Sequence, residues 1–457
     1  MGKFIETLKN IWSIKELRDR ILFTLAMLAI FRLGSYIVLP GVNPQALAAA
    51  AAGRGANDIL GLINSFTGGA FNNAAIFALG IMPYITASII IQLLGFAVPY
   101  FQRLQSKEGE SGRKKITQLT RLLTVFITLV QGGAYLTYIS STPGAVSQYV
   151  DPSIFWLSNI IILSTGVIFA MWLGEKITDK GIGNGISLLI MIGIIATLPI
   201  AFFAELQTQF STTGPLIFLL EIALLFATIL VTVLIVQGVR RIPIQFAKRM
   251  VGRTGGNMPS AGVRDYIPLK VNASGVMPII FAQAIMFLPM SIGQWIAGSG
   301  NSPGDFLLSL GNWKSLPYNI IFFLLVVLFT YVYTALLVNP QQYAEYLKRQ
   351  NAFIPGVKPG LQTQEYIDTL TTRVTLPGSV FLGLISIFPA IVASFFGVND
   401  AFAIFFGGTS LLILVAVVLD TLQQIESYLL MRKYDGLVKS GKVKGRSSGM
   451  QTIGAGM

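Results

Sequence analysis

The chain has 457 residues, of which 53% are hydrophobic and only 12% charged, and its mean hydropathy is +0.68. This composition excludes a soluble globular protein with an ordinary polar surface and indicates a multi-spanning membrane protein. The sequence contains neither histidine nor cysteine, which excludes zinc, haem and iron–sulfur sites built on those ligands, thiol nucleophiles and Ser-His-Asp triads, and we expect no cofactor.

Ten apolar stretches come close to the roughly twenty residues that a helix needs to cross a bilayer. A mixed-charge amphipathic segment without a small-residue cleavage site precedes them at residues 1–20, so we expect no signal peptide to be removed. The predicted spans are 21–39, 74–95, 119–139, 154–173, 184–204, 215–237, 275–297, 317–338, 377–396 and 402–422. They predict an all-α fold with an N-terminal half at 21–210, a C-terminal half at 211–422 and a basic tail at 423–457.

The loops and termini that flank the predicted spans lie alternately on the two sides of the membrane, and the basic residues are divided unequally between these two sets of segments. One set holds 30 of the 33 lysines and arginines, whereas the opposite loops hold only Arg54 and Lys314, and Arg32 lies inside the first span. By the positive-inside rule the basic set is cytoplasmic, so both termini are expected in the cytoplasm. The net charge of +13 is explained by this topology and by attraction to anionic lipid, and by itself it indicates no nucleic-acid partner.

The second and seventh spans contain a repeated segment, FALGIMPYITASIIIQLL at 77–94 and GVMPIIFAQAI at 275–285. Because these spans are five apart, they enter the membrane from opposite sides, which is typical of an inverted repeat of two five-helix halves. The glycine and proline predict a helix interrupted in the same way twice, and such interruptions tend to mark the transport pathway. Chance similarity of apolar segments is the alternative. The identical residues are Gly80, Met82, Pro83, Ile85, Ala87 and Ile90, matched by Gly275, Met277, Pro278, Ile280, Ala282 and Ile285.

Both copies place an isoleucine two residues after the proline, at Ile85 and Ile280. A pathway lined by isoleucine binds no ion and forms no hydrogen bond with a polar solute. A narrow apolar ring does hinder water and ions, and it seals around whatever passes without demanding particular chemistry. A mobile polypeptide is the natural occupant.

Few ionisable residues lie within the predicted spans, namely Arg32, Glu221 and Asp420, with Arg121 at the edge of the third span counted as part of the preceding basic loop. We interpret Glu221 and Asp420 as close enough to an interface to reach water, where burial costs less. No relay of carboxylates crosses the membrane core, which disfavours an ion-coupled transporter of small solutes. That class and a membrane scaffold remain as alternatives, since backbone carbonyls also bind ions.

Two loops on the basic side, 238–274 and 339–376, are longer than a connection requires. Topology explains their positive charge but not their length, so we interpret them as docking surfaces. The string GLVKSGK at 436–442 imitates a phosphate-binding loop, but Val443 follows it and no apolar strand precedes it. The context that this motif requires is absent, so the sequence predicts no nucleotide site and no enzyme.

Several long motifs resemble the SecY family, the channel subunits of the bacterial secretion translocon, and the resemblance extends from the first span to the tenth. It implies a ten-helix clamshell, with helices 1–5 facing helices 6–10 around an hourglass pore in the plasma (inner) membrane. The motifs are FALGIMPYITASIIIQLL, GESGRKKITQLTR (109–121), MWLGEKITDKGIGNGIS (171–187), RRIPIQFAKR (240–249), PLKVNASGVMP (268–278) and FGGTSLLI (406–413).

The resemblance also assigns roles to particular positions. It implies a pore ring of Ile81, Ile85, Ile186, Ile190, Ile280 and Ile413. It implies a plug, a small helix at about 57–73 that folds back into the external funnel, although an ordinary external loop has the same composition. The plug is represented by Asn57, Leu60, Ile63, Phe66, Gly68 and Gly69. It implies a lateral gate between spans two, three, seven and eight, where the polar groups either pair across a closed seam or are satisfied within their own half; the candidates are Ser88, Gln92 and Gln283.

The partners implied by the resemblance are SecE and SecG, the motor ATPase SecA, the ribosome, signal peptides and nascent chains, and membrane lipids. The two long loops and the tail contact SecA and the ribosome in this family, where basic side chains meet RNA phosphates. Lys358 stands where the family usually has arginine, and it lacks the bidentate fork of a guanidinium. The docking residues implied are Arg240, Arg241, Lys248, Arg249, Arg253, Lys358 and Arg373.

Overall fold

The computed structural model describes residues 12–53, 59–106, 109–147, 149, 151–212, 214–246, 264–283, 285–286, 310 and 312–439. The first half of the chain forms α1 (Lys15–Gly34), α2 (Pro44–Gly53), α3 (Ile59–Phe66), α4 (Met82–Ala97), α5 (Pro99–Ser106), α6 (Gly109–Ser141), α7 (Pro152–Lys180) and α8 (Gly185–Thr212). The second half forms α9 (Pro215–Val236), α10 (Leu316–Leu337), α11 (Pro340–Arg349), α12 (Leu361–Phe396), α13 (Asp400–Ala403) and α14 (Gly408–Lys439), with further helical turns at 277–283. Three strands accompany them: β1 (Val239–Phe246), β2 (Arg264–Lys270) and β3 (Ala352–Phe353).

Seven helices within the described part of the chain are long and apolar enough to cross a membrane, namely α6, α7, α8, α9, α10, α12 and α14. They correspond to predicted spans three to six and eight to ten, although α14 begins at Gly408 whereas span ten was predicted to begin at 402. Span one corresponds to α1, and span two corresponds to α4, which has only 16 residues. Span seven is described as far as residue 286, and its remainder lies outside the described residues.

The first and second predicted spans also have the wrong bounds. Helix α1 ends at Gly34 although the prediction extended to 39, and α4 begins at Met82 although the prediction began at 74. The residues beyond these helix ends pair with each other, since the N–H of Ile76 donates to the carbonyl of Ile37 at 2.9 Å. Backbone groups need a partner when buried, and here an antiparallel bridge supplies it in place of a helix. Hydropathy alone does not distinguish these two solutions.

The repeated glycine and proline begin helices and do not interrupt them, so the prediction of two broken helices was wrong. Gly80 and Gly275 both adopt left-handed φ values, +54° and +64°. Pro83 is the second residue of α4, and Pro278 is the second residue of the helical turns at 277–283. Proline is tolerated in a first turn, where its missing N–H would have no partner in any case. The two segments therefore share a backbone conformation as well as a sequence.

The largest apolar core lies where the two halves meet. Helix α8 of the first half packs on α7 and also contacts α9, α13 and α14 of the second half. The rings of Phe202 on α8 and Phe402 on α13 lie 6.1 Å apart in an edge-on arrangement. The largest fully buried side chains of this core are Leu173, Ile177, Leu189, Ile194, Phe402 and Phe406.

The two long basic loops form one structural unit. Strand β1 pairs antiparallel with β2 from the same loop and with β3 from the other loop, in the order β2-β1-β3. A separate apolar core fixes this sheet against α11 and the first turns of α12. Its members are Ile242, Ile244, Leu269, Leu347, Ala352, Ile354 and Ile367. This unit marks the end of the bundle that carries the basic loops, which we call the basic end.

Candidate functional site

A cavity of about 470 Å³ lies between the two halves of the bundle. Its walls come from α4 and α8 of the first half, and from residues 274–280 and α14 of the second half. Asn184 and Asp420 line it and are exposed, so the cavity opens towards the basic end. Its other polar lining residues include Ser88, Gln92, Ser187 and Ser274.

Five of the six isoleucines implied by the family resemblance line this cavity. They belong to four separate chain segments, which the tertiary structure brings around one space; they are Ile85, Ile186, Ile190, Ile280 and Ile413. Ile85, Ile190 and Ile413 are nearly inaccessible to solvent, at 7%, 9% and 5% exposure. The sixth, Ile81, is buried in the same core but does not line the cavity, because it lies one turn earlier, at the N-cap of α4. The cavity therefore has a polar mouth and an apolar floor.

Only one of the two acidic residues placed near an interface reaches solvent. Asp420 is exposed at the cavity mouth and accepts a hydrogen bond from Gln424 at 3.3 Å. Glu221, in contrast, is completely buried, so the expectation that it reaches water was wrong. The reason is tertiary, because α8 extends to Thr212 and covers this face of α9.

Glu221 belongs to a buried polar cluster that joins the two halves at the end of the bundle opposite the basic end. The Nε2 of Gln209 donates to Oε1 of Glu205 at 2.7 Å and to Oε1 of Glu221 at 2.9 Å. The other carboxylate oxygen of Glu205 accepts the backbone N–H of Asn399 at 2.8 Å. Sequence reasoning missed Glu205, because the predicted fifth span stopped one residue before it.

Of the polar residues proposed for a lateral gate, some pair across the seam between the halves and others are satisfied within their own half. Gln92 on α4 donates to Ser88 at 3.2 Å, and its Oε1 accepts a hydrogen bond from the hydroxyl of Tyr333 on α10. This bond crosses the seam between the halves. Gln283 instead donates to Thr409 at 3.4 Å, within the second half. Sequence reasoning missed Tyr333, for which the available signal was a tyrosine hydroxyl inside an apolar span.

The predicted plug contains a short helix, α3, that ends beyond the isoleucines. Gly193 on α8 approaches this end so closely that a Cβ there would lie 2.3 Å from the carbonyl oxygen of Phe66. Gly193 is three residues past Ile190, or about 4.5 Å farther from the basic end. Helix α3 therefore ends on the far side of the cavity floor, where Phe66 packs against the main core.

The remaining plug positions follow from this placement. Leu60 and Ile63 lie within α3, and Asn57 lies outside the described residues. Gly68 and Gly69 follow the helix after one intervening residue, with φ values of +65° and +90°. Such left-handed values favour glycine, so these two residues allow the tight turn that leads from α3 towards α4.

The basic residues proposed for docking lie on the unit formed by the two loops, as far as they are described. Arg240 and Arg241 are exposed on β1, and the guanidinium of Arg241 lies 4.7 Å from the ring centroid of Tyr266 on β2. Lys358 is exposed in the turn before α12, and Arg373 is exposed on α12 itself. Lys248, Arg249 and Arg253 lie outside the described residues.

Comparison with known proteins identifies the family. Residues 75–422 match the sequence model of the SecY family. The chain belongs to the SecY family. Among curated relatives, this SecY-family chain is 42% identical to the protein translocase subunit SecY of Streptomyces galbus, with 93% of the chain and 97% of the relative covered. It is 40% identical to that of Aquifex aeolicus (95% and 99% covered) and 38% identical to that of Chlamydia muridarum (96% and 99% covered).

Solved structures establish the fold of this SecY-family chain. A structure described as that of a protein-conducting channel superimposes with a TM-score of 0.62 at 17% identity, covering 90% of this chain and 92% of the other. Sec61 from the canine ribosome-channel complex superimposes with a TM-score of 0.57 at 16% identity, covering 90% and 92%. The predicted ten-helix clamshell of two halves is confirmed. In this SecY-family fold, the cavity with the isoleucine floor lies between the two halves.

Proposed function

We propose that the chain is a protein-conducting channel that moves unfolded polypeptides across the membrane and releases transmembrane segments sideways into lipid. The observation that carries the proposal is a cavity between two inverted halves, closed by isoleucines from both halves and followed on the far side by a short helix. The relatives are named as protein translocase subunits, and a structural neighbour as a protein-conducting channel, which agrees with this assignment.

The chemistry of the cavity suits a chain better than a small solute. Isoleucine side chains offer no hydrogen bonds, so the constriction places no demand on the sequence that passes, whereas water and ions are reluctant to enter a narrow apolar gap. A binding site for a small solute needs several convergent polar groups. This cavity does have polar lining residues, among them Ser88, Gln92, Ser187 and Ser274, but the isoleucine constriction itself offers none.

In the resting channel, the isoleucine ring and the plug form two consecutive barriers. An entering polypeptide replaces the ring's contacts with its own side chains and displaces the plug towards the external side. Separation of α4 from α10 breaks the hydrogen bond between Gln92 and Tyr333 and opens a path to lipid. An apolar segment then leaves sideways because burial in lipid removes its apolar surface from water.

The proposed setting is the plasma membrane, with both termini and the basic end in the cytoplasm. The protein is proposed to be a channel and not an enzyme, so the energy for transport comes from SecA, from a translating ribosome or from the proton-motive force. SecE, SecG, signal peptides and nascent chains, and membrane lipids are the other proposed partners. The basic unit built from β1, β2, β3 and α11 is the proposed docking site, since exposed arginines suit RNA phosphates.

A cross-linking experiment tests the pathway directly. Because the chain contains no cysteine, Ile85→Cys and Ile280→Cys each introduce a single thiol. We expect both to cross-link to a cysteine in an arrested translocating polypeptide, with SecA or with ribosomes. Ile161→Cys, on a side chain of α7 that is 57% exposed, is the control facing lipid. Equal cross-linking at Ile161 and at the two ring positions would contradict the proposal.

A second experiment separates the channel from the two alternative classes. Replacing Ile85 and Ile280 together with asparagine places polar groups in the seal, so we expect ion leakage and transport of substrates with weaker signals. Tight membranes with unchanged selectivity would argue against the ring. Uptake of a small solute by the purified protein without SecA or ribosomes would favour a transporter, and unchanged translocation in the double variant would favour a scaffold.

A further inference from the structure

Arg32 is a basic residue that lies inside the predicted first span, and the proposed transport cycle leaves it without a role. It occupies the last turn of α1, at the external end of the helix and not in the middle of the span. An ionisable side chain in a membrane segment usually marks a functional contact with an identifiable partner. Here that partner is the plug.

We propose that Arg32 is a positioning residue that latches the plug in its closed position; this rests on the proposed function of α3 as a plug. The Nη1 of Arg32 donates to the carbonyl oxygen of Gly68 at 2.9 Å. Gly68 lies two residues after the end of α3, so the guanidinium binds the carbonyl end of this helix. Positive charge is favoured there, because the last carbonyls of a helix carry partial negative charge.

The guanidinium is held in place for this contact. Its Nη2 donates to the hydroxyl of Tyr36 at 3.1 Å, and its central carbon lies 5.2 Å from the centroid of the same ring. Among the described residues, no carboxylate lies within salt-bridge distance of Arg32. The carbonyl of Gly68 and the side chain of Tyr36 are thus its described partners, and only the carbonyl belongs to the plug.

The turn held by Arg32 packs closely against its neighbours at Gly68. A Cβ on Gly68 would lie 2.4 Å from Nη1 of Arg32 and 2.9 Å from the Cα of Gly193. A Cβ on Gly193 would in turn lie 2.3 Å from the carbonyl oxygen of Phe66. The end of α3 is therefore held between α1 and α8, both of which belong to the first half.

The clamped turn moves with α3 as one body. The backbone N–H of Gly69 donates to the carbonyl of Asn64 at 2.9 Å, and the N–H of Asn72 donates to the side chain of Asn64 at 3.0 Å. Releasing the carbonyl of Gly68 therefore weakens the hold on the whole plug helix, which still packs on the core through Phe66. A hydrogen bond from a charged donor is stronger than a neutral one, yet water replaces it once the plug has moved, so the latch is reversible.

Thiol labelling measures the latch. Ser65→Cys places a single thiol on α3 in this cysteine-free chain, and a membrane-impermeant maleimide is added from the external side of proteoliposomes. Labelling of a transiently released plug follows the population of the released state when reclosing is fast. Adding Arg32→Met, which keeps the length but removes the donors, is expected to raise the labelling rate and the resting ion conductance by roughly tenfold. Arg32→Lys, which retains a single cationic donor, is expected to lie between wild type and Arg32→Met.

The matched control is Arg18→Met, which removes an arginine from the same helix at its ion pair with Asp19, 3.6 Å away; we expect it to leave both rates unchanged. Transport activity distinguishes a lost latch from misfolding. A channel without the latch still transports a precursor with an intact signal, whereas a misfolded channel does not. If substrate engagement does not raise labelling at residue 65 in the wild type, the proposed plug function fails. If substrate raises labelling but Arg32→Met leaves resting labelling and conductance at wild-type values, the latch is refuted while the plug stands.

Discussion

The hydrogen bond between Tyr333 and Gln92 gives a quantitative test of the seam. Tyr333 on α10 is 4% exposed, and its ring centroid lies 5.3 Å from that of Phe281. Tyr333→Phe keeps the ring and this aromatic contact and removes only the hydroxyl that reaches Gln92 on α4. The substitution therefore changes the strength of closure without creating a cavity.

The size of the expected effect follows from the free energy of the hydrogen bond that the hydroxyl donates. A side-chain hydrogen bond between membrane helices contributes about 0.6 kcal/mol on average, and a typical net value in proteins reaches about 1.5 kcal/mol. Removing it shifts the ratio of open to closed seams by roughly threefold to twelvefold. The shift favours opening, because Oε1 of Gln92 loses its donor in the closed state, while its Nε2 still reaches Ser88 at 3.2 Å.

The assay is the fraction of a marginally apolar test segment that is released into lipid during translocation. We expect Tyr333→Phe to raise the ratio of inserted to translocated segment by that factor, and Tyr331→Phe, on the same helix, to leave it unchanged. In a double-mutant cycle, Tyr333→Phe should have no further effect once Gln92→Leu is present. Equal behaviour of the two tyrosine variants, or fully additive effects with Gln92→Leu, would refute the reasoning.

Gly166→Ala is expected to lower the apparent melting temperature of the detergent-solubilised protein, because its Cβ would lie 2.4 Å from the carbonyl oxygen of Ile76 and overpacking typically costs about 1–3 kcal/mol. Glu221→Gln is expected to melt close to wild type, because the amide oxygen still accepts the hydrogen bond that Oε1 receives at 2.9 Å. Arg240→Glu combined with Arg241→Glu is expected to weaken co-sedimentation with ribosomes. The slope of log affinity against log salt concentration should also fall, by roughly the contribution of two phosphate contacts.

Each of these three expectations has a control or a contrary outcome. Gly61→Ala has open space around its Cβ and should not lower the melting temperature. Glu205→Leu, which leaves the N–H of Asn399 without its 2.8 Å acceptor, should be clearly less stable than Glu221→Gln; equal stability would contradict the role of the cluster. Unchanged ribosome binding at low and high salt would remove Arg240 and Arg241 from the docking surface.

The class, the family and the repeat can all be predicted from the order of the amino acids. Apolar stretches of membrane-crossing length depend only on local composition, and the predicted ten-helix fold was confirmed. The match between Gly80 and Gly275 is visible in the letters, and both glycines adopt left-handed backbone conformations. The ring, plug and docking roles rest on resemblance to relatives, and they stay predictions.

Tertiary structure decided everything that depends on contact between distant segments. The apolar run before α4 pairs through an isolated bridge with the chain after α1 and otherwise forms turns, so it is not helical. Glu221 is buried because the end of α8 covers it, and Gln92 finds Tyr333 across the seam, 241 positions along the chain. Hydropathy records how well a residue tolerates lipid. Burial and hydrogen bonding, including the hydrogen bond from Arg32 to Gly68, depend on which segment lies opposite. Such partners arise only when the helices pack.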